Sequence, residues 1–429
     1  MEIIMGETQM MTAAEEYEVI VVGSGPSGIG AAVAAGRNGA KVLLIEAQGA
    51  VGGLSTTGLM SHFTGDVNSA LYREILNRQA EKAYFKMDNL IDIDPELLKN
   101  VYYEMLAEAH VDILLYTLVC GVVMEENHLQ GVICQNKSGR TLYRAQVVID
   151  CSGDGDAAAY SGAEYFKGRE KDGRMQPATL MFKVGGVDME RAELPRSFET
   201  KVPTKKGELQ ALAKEKLPAP AGHVLLYRSP IPGIVTCNMT NAIEIDGTKA
   251  EDLTRAELVC RSQMEPIVDF LREYVPGYET CYIVSAASLI GVRETRHFKG
   301  VKAITEEDVL TARQFEDWVV KDARFNFDVH NITGSGLDKT GVQKEFKQTK
   351  GYTIPYGCLV PEKVDGLLLS GRNISGTHMA HASFRAMPIC VGIGEAGGVA
   401  AALAVRKGIA VREVQPKEIQ EVLTKGIKR

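Results

Sequence analysis

The first part of the chain predicts a strand, a helix and a second strand in immediate succession. Residues 18–22 (EVIVV) form a short run of apolar, β-branched residues, and residues 41–46 (KVLLIE) form another. Such runs, bounded by glycine, are typical of buried strands. The stretch between them is rich in alanine and other small residues and predicts a helix that ends near Gly39. The pattern therefore predicts a βαβ unit over 18–46.

The following segments change from helical to strand periodicity. Residues 94–109 place leucine, valine, tyrosine and methionine at helical spacing, after an Asp-Pro pair that suits a helix N-terminus. Residues 112–150 contain several apolar runs separated by turn signals at 126–127 and 137–139. This pattern predicts a meander of antiparallel strands, and its last strand could return to the main sheet.

The second half of the chain predicts a composite region followed by further regular elements. Residues 165–350 carry proline-rich turns and two long helical patterns, at about 251–274 and 305–322. The closing patterns predict one short buried strand and two helices: 365–370, 388–407 and 416–427.

A glycine-rich turn joins the first strand to the first helix. Gly23, Gly25 and Gly28 follow a G-x-G-x-x-G spacing, and the acid Glu46 ends the next strand. In a strand–turn–helix context these glycines allow a tight turn, a close approach of the backbone to a pyrophosphate and close packing of helix on strand. The helix N-terminus favours phosphate charge, and the acid can accept hydrogen bonds from ribose hydroxyls. The motif predicts a dinucleotide site, and the acid disfavours a 2′-phosphate.

Motifs spread along the rest of the chain resemble those of one flavoprotein family. Gly52-Gly53 follows Glu46 in the segment EAQGAVGGLSTTG, which is similar to the turn beside the flavin diphosphate in two-dinucleotide-binding-domain flavoproteins. The other resembling segments are 148–163, 176–186, 291–296, 354–372 and 374–403. As a set, running from about residue 17 to the end, they resemble the FAD-dependent oxidoreductase family, the broad group that shares its FAD fold with succinate/fumarate-type flavoproteins.

The resemblance implies an α/β fold with two domains. A Rossmann-like FAD-binding domain, built from a parallel sheet and an antiparallel β-meander, would carry an inserted α+β substrate domain. The FAD-binding domain would comprise 17–165, with a helical excursion at 66–110, and 351–429. The inserted domain would span 166–350, and residues 1–16 would form a flexible leader.

The resemblance also implies non-covalently bound FAD and a set of residues around it. The helix that begins near Pro388 would direct its N-terminus at the flavin, where it would stabilise negative charge on the reduced ring. The residues expected to bind FAD are Gly23, Gly25, Pro26, Ser27, Gly28, Glu46, Ala47, Gly52, Gly53, Leu54, Ser55, Val119, Cys151, Ser152, Gly153, Gly371, Arg372, Pro388, Gly392 and Gly394.

Six residues are candidates for the chemistry beside the flavin. Histidine is the natural base near neutral pH, and arginine can hold an anionic group through two parallel hydrogen bonds. A tyrosine near the flavin could donate a hydrogen bond. The candidates are His62, His330, His378, Arg293, Arg385 and Tyr356. Each also fits a structural role, such as a core tyrosine or an arginine that braces a domain interface.

Composition narrows the compartment and the partners. The formal net charge of −7 argues against nucleic acid or an anionic membrane as the main partner. The eight cysteines contain no Cys-x-x-Cys pair, so they fit neither a zinc site nor an iron–sulfur cluster and suit reduced thiols in a cytosol. Neither a signal peptide nor a long apolar span is evident. We therefore expect a cytoplasmic protein with a small-molecule substrate and no metal, and homo-oligomerisation is left open.

Three functions fit these observations. The leading one is an FAD-dependent oxidoreductase of the dehydrogenase type, which transfers a hydride between flavin N5 and a small polar metabolite, with the electron acceptor open. The second is a tRNA-modifying flavoprotein, which would need a strongly basic face, whereas 199–216 is only a modest basic run. The third is a non-catalytic FAD-binding protein. A disulfide reductase is disfavoured because no cysteine pair follows the Gly-Gly turn.

Overall fold

The computed structural model describes residues 12–339 and 346–425. Of the predicted leader, residues 1–11 lie outside the described residues, as do the last two residues of the predicted helix 416–427. The strands are β1 (Thr12–Ala13), β2 (Tyr17–Val22), β3 (Val42–Ile45), β4 (Asp112–Leu114), β5 (Leu118–Glu125), β6 (His128–Asn136), β7 (Gly139–Asp150), β8 (Tyr165–Lys167), β9 (Phe182–Gly185), β10 (Pro203–Thr204), β11 (Gly207–Glu208), β12 (Leu226–Arg228), β13 (Val235–Cys237), β14 (Tyr282–Ala286), β15 (Arg296–Phe298), β16 (Trp318–Ala323), β17 (Tyr352–Pro355) and β18 (Leu367–Leu369). The helices are α1 (Pro26–Arg37), α2 (Ala70–Lys82), α3 (Pro95–Glu108), α4 (Asp156–Tyr160), α5 (Leu209–Lys216), α6 (Ala250–Tyr274), α7 (Glu306–Leu310), α8 (His378–Phe384), α9 (Met387–Lys407) and α10 (Pro416–Lys425).

The main sheet combines a parallel half with an antiparallel half. Its strands run in the order β4-β3-β2-β7-β6-β5, and β1 and β18 also pair with β7. The first part of β7 pairs antiparallel with β6, whereas its last residues pair parallel with β2 and β18. The last residues of β2, β3, β7 and β18 are buried and apolar apart from Asp150, as expected of parallel strands covered on both faces. The fold class predicted from the sequence is confirmed.

Helices α1 and α9 cover the parallel half of the sheet, and their backbones pack unusually close to each other. A Cβ placed on Gly394 of α9 would lie 2.0 Å from Ser27 O of α1, and one on Gly398 would lie 2.2 Å from Ala31 O. Only glycine at these positions allows the two backbones to approach in this way. The glycines of α9 therefore serve the packing of the helix on α1.

Helix α9 is long and apolar enough, by length and composition, to cross a membrane. Of its most apolar window, 94% is buried inside the protein. The composition of α9 is thus that of a core helix.

A second hydrophobic core lies around a smaller antiparallel sheet of order β12-β13-β9-β14. Its residues run from Ala178 to Val292 and include the inner face of α6. Residues after this point, such as Phe298 and Val319, pack in the first core. The domain boundaries predicted from the sequence stay predictions.

Most predicted elements are confirmed, but two predictions are wrong. The pattern at 305–322 forms the short helix α7 and then strand β16, because a capping box at Thr305 starts the helix and Ala312 adopts a left-handed φ of 52° soon after its end. The first strand of the predicted meander, β4, pairs parallel with β3. The meander is therefore limited to β5, β6 and β7.

Candidate functional site

The three glycines between β2 and α1 meet different surroundings. A Cβ on Gly23 would lie 2.7 Å from Cys151 O, and one on Gly28 would lie 1.9 Å from Gly23 O. These two glycines are therefore required by the protein backbone itself. A Cβ on Gly25 would meet no atom within 4 Å. The space beside Gly25 belongs to a cavity and is available to a ligand.

That space is part of a cavity of about 690 Å³ between the two cores, called the larger cavity below. It has the size of a site for a small molecule or cofactor. Many of the residues expected to bind FAD line it: Gly23, Gly25, Pro26, Ser27, Glu46, Ala47, Gly53, Leu54, Val119, Cys151, Ser152, Gly153, Gly371 and Arg372.

The structure places the remaining expected FAD residues outside the lining of the larger cavity. They are Gly28, Gly52, Ser55, Pro388, Gly392 and Gly394. The two glycines of α9 pack against neighbouring elements, Gly394 against α1 and Gly392 against Val67. From the first turn of α9, Met387 and Cys390 reach the larger cavity.

A fixed carboxylate marks one end of the larger cavity. Glu46 Oε2 accepts hydrogen bonds from Ser24 N at 2.8 Å and Ser24 Oγ at 2.6 Å, and Oε1 accepts one from Gln48 N at 2.9 Å. An acceptor held at the end of β3 suits a ribose hydroxyl. Together with the open space at Gly25 and the N-terminus of α1, it makes a lining that fits FAD.

Residues far away in sequence complete the larger cavity. Leu253, Thr254, Glu257 and Leu258 of α6 line it from the side of the second core. Sequence reasoning missed them because α6 shows only a helical pattern, and no local motif states which cavity a helix covers.

A second cavity of about 610 Å³, the smaller cavity, adjoins the larger one. Leu54, Val292, Arg372 and Arg385 line both. Four of the catalytic candidates line the smaller cavity: His62, His330, Arg293 and Arg385. The structure therefore brings these four side chains to one cavity, although the first and the last of them are more than three hundred positions apart in the sequence.

His330 lies in a network of charged groups. Its Nε2 is 3.4 Å from Asp328 Oδ1, and Arg385 Nη2 donates to Asp328 Oδ2 at 2.8 Å. Burial lowers the pKa of His330 to about 4, and the charge of Arg293 adds to this effect, while Asp328 opposes it. His330 is therefore neutral at physiological pH. Sequence reasoning did not select Asp328, although it stands two positions before His330.

His62 is held by its own loop. Ser61 Oγ lies 2.8 Å from Nδ1 and Thr64 Oγ1 lies 3.1 Å from Nε2. Burial, together with the nearby Arg196, lowers the pKa of His62 to about 4. Because both ring nitrogens already have partners, His62 is less free to exchange a proton with a ligand than His330 is.

Arg293 projects its guanidinium into the smaller cavity from the segment before β15. Its Nη1 donates to Pro177 O at 2.6 Å. Burial lowers its pKa to about 10, and the nearby Arg385 contributes. The side chain stays charged at neutral pH in a partly desolvated place.

Two catalytic candidates lie outside both cavities. His378 Nδ1 is 2.5 Å from Glu294 Oε1, and the hydroxyl of Tyr356 donates to Val411 O at 2.7 Å in the core. Neither residue lines the larger or the smaller cavity. Their positions fit the structural alternative better than contact with a substrate.

Glu294 is the centre of a buried group of histidines. Its Oε1 contacts His297 Nε2 at 2.9 Å as well as His378, and His381 packs edge-on against His297. Burial opposes the charge of Glu294, but the hydrogen bonds from His297 and His378 outweigh it and hold the pKa well below its usual range. Ligand atoms of Glu294, His297 and His381 lie within 4.8 Å of one another, so these three residues could hold a metal ion. The hydrogen bonds of Glu294 account for the positions of His297 and His378 without a metal ion.

Comparisons with known proteins agree with this geometry. The family model described as FAD dependent oxidoreductase matches residues 18–423. Over 201 residues the chain is 25% identical to digeranylgeranylglycerophospholipid reductase 1 of Methanococcoides burtonii, covering 42% of this chain and 47% of that reductase, about half its length.

The comparison with solved structures finds matches at low sequence identity. The p-nitrophenol 4-monooxygenase PnpA from Pseudomonas putida matches with a TM-score of 0.51 and 12% identity, over 96% of this chain and 88% of that one. A geranylgeranyl bacteriochlorophyll reductase-like protein from Thermoplasma acidophilum matches with a TM-score of 0.49 and 14% identity, over 95% and 82% of the two chains.

Proposed function

The chain belongs to the FAD-dependent oxidoreductase family, and from this membership we propose that it transfers a hydride between flavin and a small polar metabolite held in the smaller cavity. The observation that carries the proposal is the junction of the two cavities, where Leu54, Val292, Arg372 and Arg385 line both. A molecule in the smaller cavity would contact whatever occupies the adjoining part of the larger one. FAD, when bound, supplies the acceptance or donation of the hydride.

The proton that accompanies the hydride is assigned to His330. A base must be neutral to accept a proton, and the lowered pKa of about 4 keeps His330 in that form. Asp328 lies beside its Nε2 and stabilises the charge that the ring gains. Arg385 holds Asp328 in place through a contact of 2.8 Å. With Nε2 beside Asp328, the other ring nitrogen, Nδ1, is assigned to accept the proton.

The proposal includes a cytoplasmic setting and a small-molecule partner. All eight cysteines are free, and seven of them are buried. Burial raises the thiol pKa of several, for example to about 12 at Cys151 and Cys390, which keeps them protonated. A small substrate is supported by a binding cavity of about 610 Å³.

The test is an anaerobic titration of the purified protein. Its visible spectrum is expected to be that of oxidised flavin and to bleach when one pool of polar metabolites is added. Bound flavin that no pool can reduce, and that no pool can reoxidise after chemical reduction, would contradict the proposal. Co-purification of RNA with the flavoprotein would instead favour the tRNA-modifying alternative.

A further inference from the structure

The smaller cavity carries an excess of positive charge. Its cationic lining residues are Arg196, Arg293, Arg324, Lys347, Arg372 and Arg385, whereas Asp328 is the one carboxylate among the described residues of the lining. Arg372 pairs with Asp154 and Arg385 with Asp328, each at 2.8 Å, and Arg324 lies 4.0 Å from both Asp66 and Asp322. The remaining positive charge favours an anionic ligand.

Arg293 is the cation that most needs such a ligand. Within the described part of the chain it forms no ion pair, and its one side-chain hydrogen bond goes to the uncharged Pro177 carbonyl. A charge withdrawn from water costs free energy unless an opposite charge or several hydrogen bonds compensate it. A guanidinium has a flat fork of donors that matches a carboxylate through two parallel bonds. The unused donors of Arg293 therefore define a place for a carboxylate of the substrate.

The same cavity contains a base for a second group of that substrate. His330 Nε2 lies 3.4 Å from Asp328 Oδ1, longer than an ordinary hydrogen bond, and contacts of this kind tighten when a ligand binds. A neutral histidine beside a carboxylate can take the proton of a hydroxyl. An ammonium group would meet the surrounding positive charge instead, so the cavity discriminates against amino acids.

We propose that the substrate is a hydroxy acid, whose carboxylate binds Arg293 and whose hydroxyl faces His330. The assignment rests on the proposed function, since it names the substrate class of that same site. In the oxidation, the C–H bond of the carbinol carbon breaks and its electron pair leaves as hydride to FAD, the oxidant. The O–H bond breaks as well, its proton passes to His330, and the substrate becomes an oxo acid.

Equilibrium binding tests the carboxylate site without any turnover. Oxalate, which cannot donate a hydride, serves as the probe, and its binding to the flavin-loaded protein is measured by titration calorimetry. Arg293→Gln is expected to bind oxalate at least ~10-fold more weakly, because a charge-assisted hydrogen-bonded contact is lost. Arg293→Lys, which keeps the charge but loses the fork, is expected to lie between the two. Arg191→Gln is the control, because Arg191 is an exposed arginine that pairs with Glu279 and lines neither cavity.

Thermal unfolding gives an independent readout. A desolvated charge without an ion pair costs the ligand-free protein free energy, which outweighs the one hydrogen bond to Pro177 O, so Arg293→Gln is expected to keep or raise the melting temperature. Oxalate is expected to raise the melting temperature of the wild type and not that of the variant. A purely structural Arg293 would give the opposite pattern, a clear loss of stability that oxalate does not affect.

Loss of the oxidised-flavin absorbance tests whether the substrate needs both a hydroxyl and a carboxylate. A series of hydroxy acids of increasing chain length is compared with the matching amino acids and with the matching diols, in which CH₂OH replaces the carboxylate. Only the hydroxy acids are expected to bleach the flavin. Bleaching by amino acids or diols, or unchanged oxalate binding by Arg293→Gln, overturns the inference while the proposed hydride transfer stands. Binding of oxalate through Arg293 without bleaching by any metabolite pool overturns the proposed function instead.

Discussion

Two glycines of one motif carry different kinds of constraint. Gly28 is enclosed by protein atoms, since its Cβ would lie 1.9 Å from Gly23 O. Gly25 has a φ of −62°, which any residue can adopt, and its Cβ would point into the larger cavity. Gly28 is needed for the fold, and Gly25 is needed for the ligand.

This difference predicts a separation of phenotypes. Gly25→Ala is expected to leave the melting temperature of the FAD-free protein unchanged and to weaken FAD binding by ~10- to 100-fold, the equivalent of about 1–3 kcal/mol of overpacking against the ligand. Gly28→Ala is expected to destabilise the FAD-free protein itself. The two are distinguished by thermal unfolding of both variants and by fluorimetric FAD titration. A large loss of FAD-free stability in Gly25→Ala would contradict this account.

His330 predicts a defined pH dependence. Burial and the positive charges of Arg293 and Arg385 lower its pKa to about 4, while Asp328 raises it, and His223 also lies nearby. A base works above its pKa, so the rate of flavin reduction by the substrate is expected to stay constant through the neutral range and to fall as the pH approaches about 4. Stopped-flow reduction across the acid range measures this.

Substitutions test whether His330 causes this fall in rate at acid pH, called the acidic limb. His330→Gln is expected to lower the rate by roughly 10²- to 10⁴-fold and to abolish the acidic limb. Asp328→Asn removes the charge that favours protonation, so any remaining limb moves to lower pH. His128→Gln, on β6 and outside both cavities, is the control. An unchanged acidic limb in His330→Gln would assign the proton to another group.

At the scale of elements, α9 places an acid within its apolar run. Glu395 is buried and accepts a hydrogen bond from Ser69 Oγ at 2.6 Å, and the same Ser69 caps α2. Burial raises the pKa of Glu395 from 4.5 to about 7, although Ser69 opposes the shift. The folded protein therefore favours the neutral acid. The stabilisation is complete below the ordinary value and is lost as the pH rises through about 7.

Glu395→Gln keeps the shape and removes the charge. The variant is expected to match the wild type in acid and to exceed its free energy of unfolding above neutrality, by up to about 3 kcal/mol from the size of the pKa shift. Denaturant unfolding at an acidic and an alkaline pH measures the difference. Glu81→Gln, which removes an exposed carboxylate of α2, is the control. Equal stability of Glu395→Gln and the wild type at alkaline pH would show that Glu395 is already neutral there.

Local patterns predicted the elements well where propensity and packing agree. The βαβ unit and α6 have strong apolar periodicity, and the structure has them at α1, β3 and Ala250–Tyr274. The pattern at 305–322 failed because apolar residues of β16 that pair with β17 mimic helical spacing. A short window of sequence does not show that a segment will pair with a strand far away along the chain.

At the scale of the whole molecule, the two cores meet around the larger cavity. The first core supplies the glycine-rich turn and Glu46, and the second supplies one face of α6. Sequence motifs could therefore predict the side built from contiguous residues. The other side arises from long-range folding, as does the contact of Asp328 with Arg385, and neither has a local signature.

Leu258 provides a test of whether α6 contributes to the FAD-binding site. It is 66% exposed but lines the larger cavity, so FAD rather than the protein would cover part of it. Leu258→Ser is expected to leave FAD-free stability unchanged and to raise the FAD dissociation rate by ~3- to 10-fold, in proportion to the apolar area that FAD no longer covers. Leu310→Ser, at a 43% exposed position outside the cavity, is the control. Equal dissociation rates in the two variants would remove α6 from the binding site.

The unequal burial of the cysteines gives the native chain a built-in labelling position. Cys120 is the one cysteine of the eight that is not buried. It follows Val119, which lines the larger cavity, and β5 has a β-bulge between Val119 and Gly121. A thiol-reactive fluorophore on Cys120 would sit next to a residue of the cavity wall, and its emission could follow cofactor exchange in the unmodified sequence.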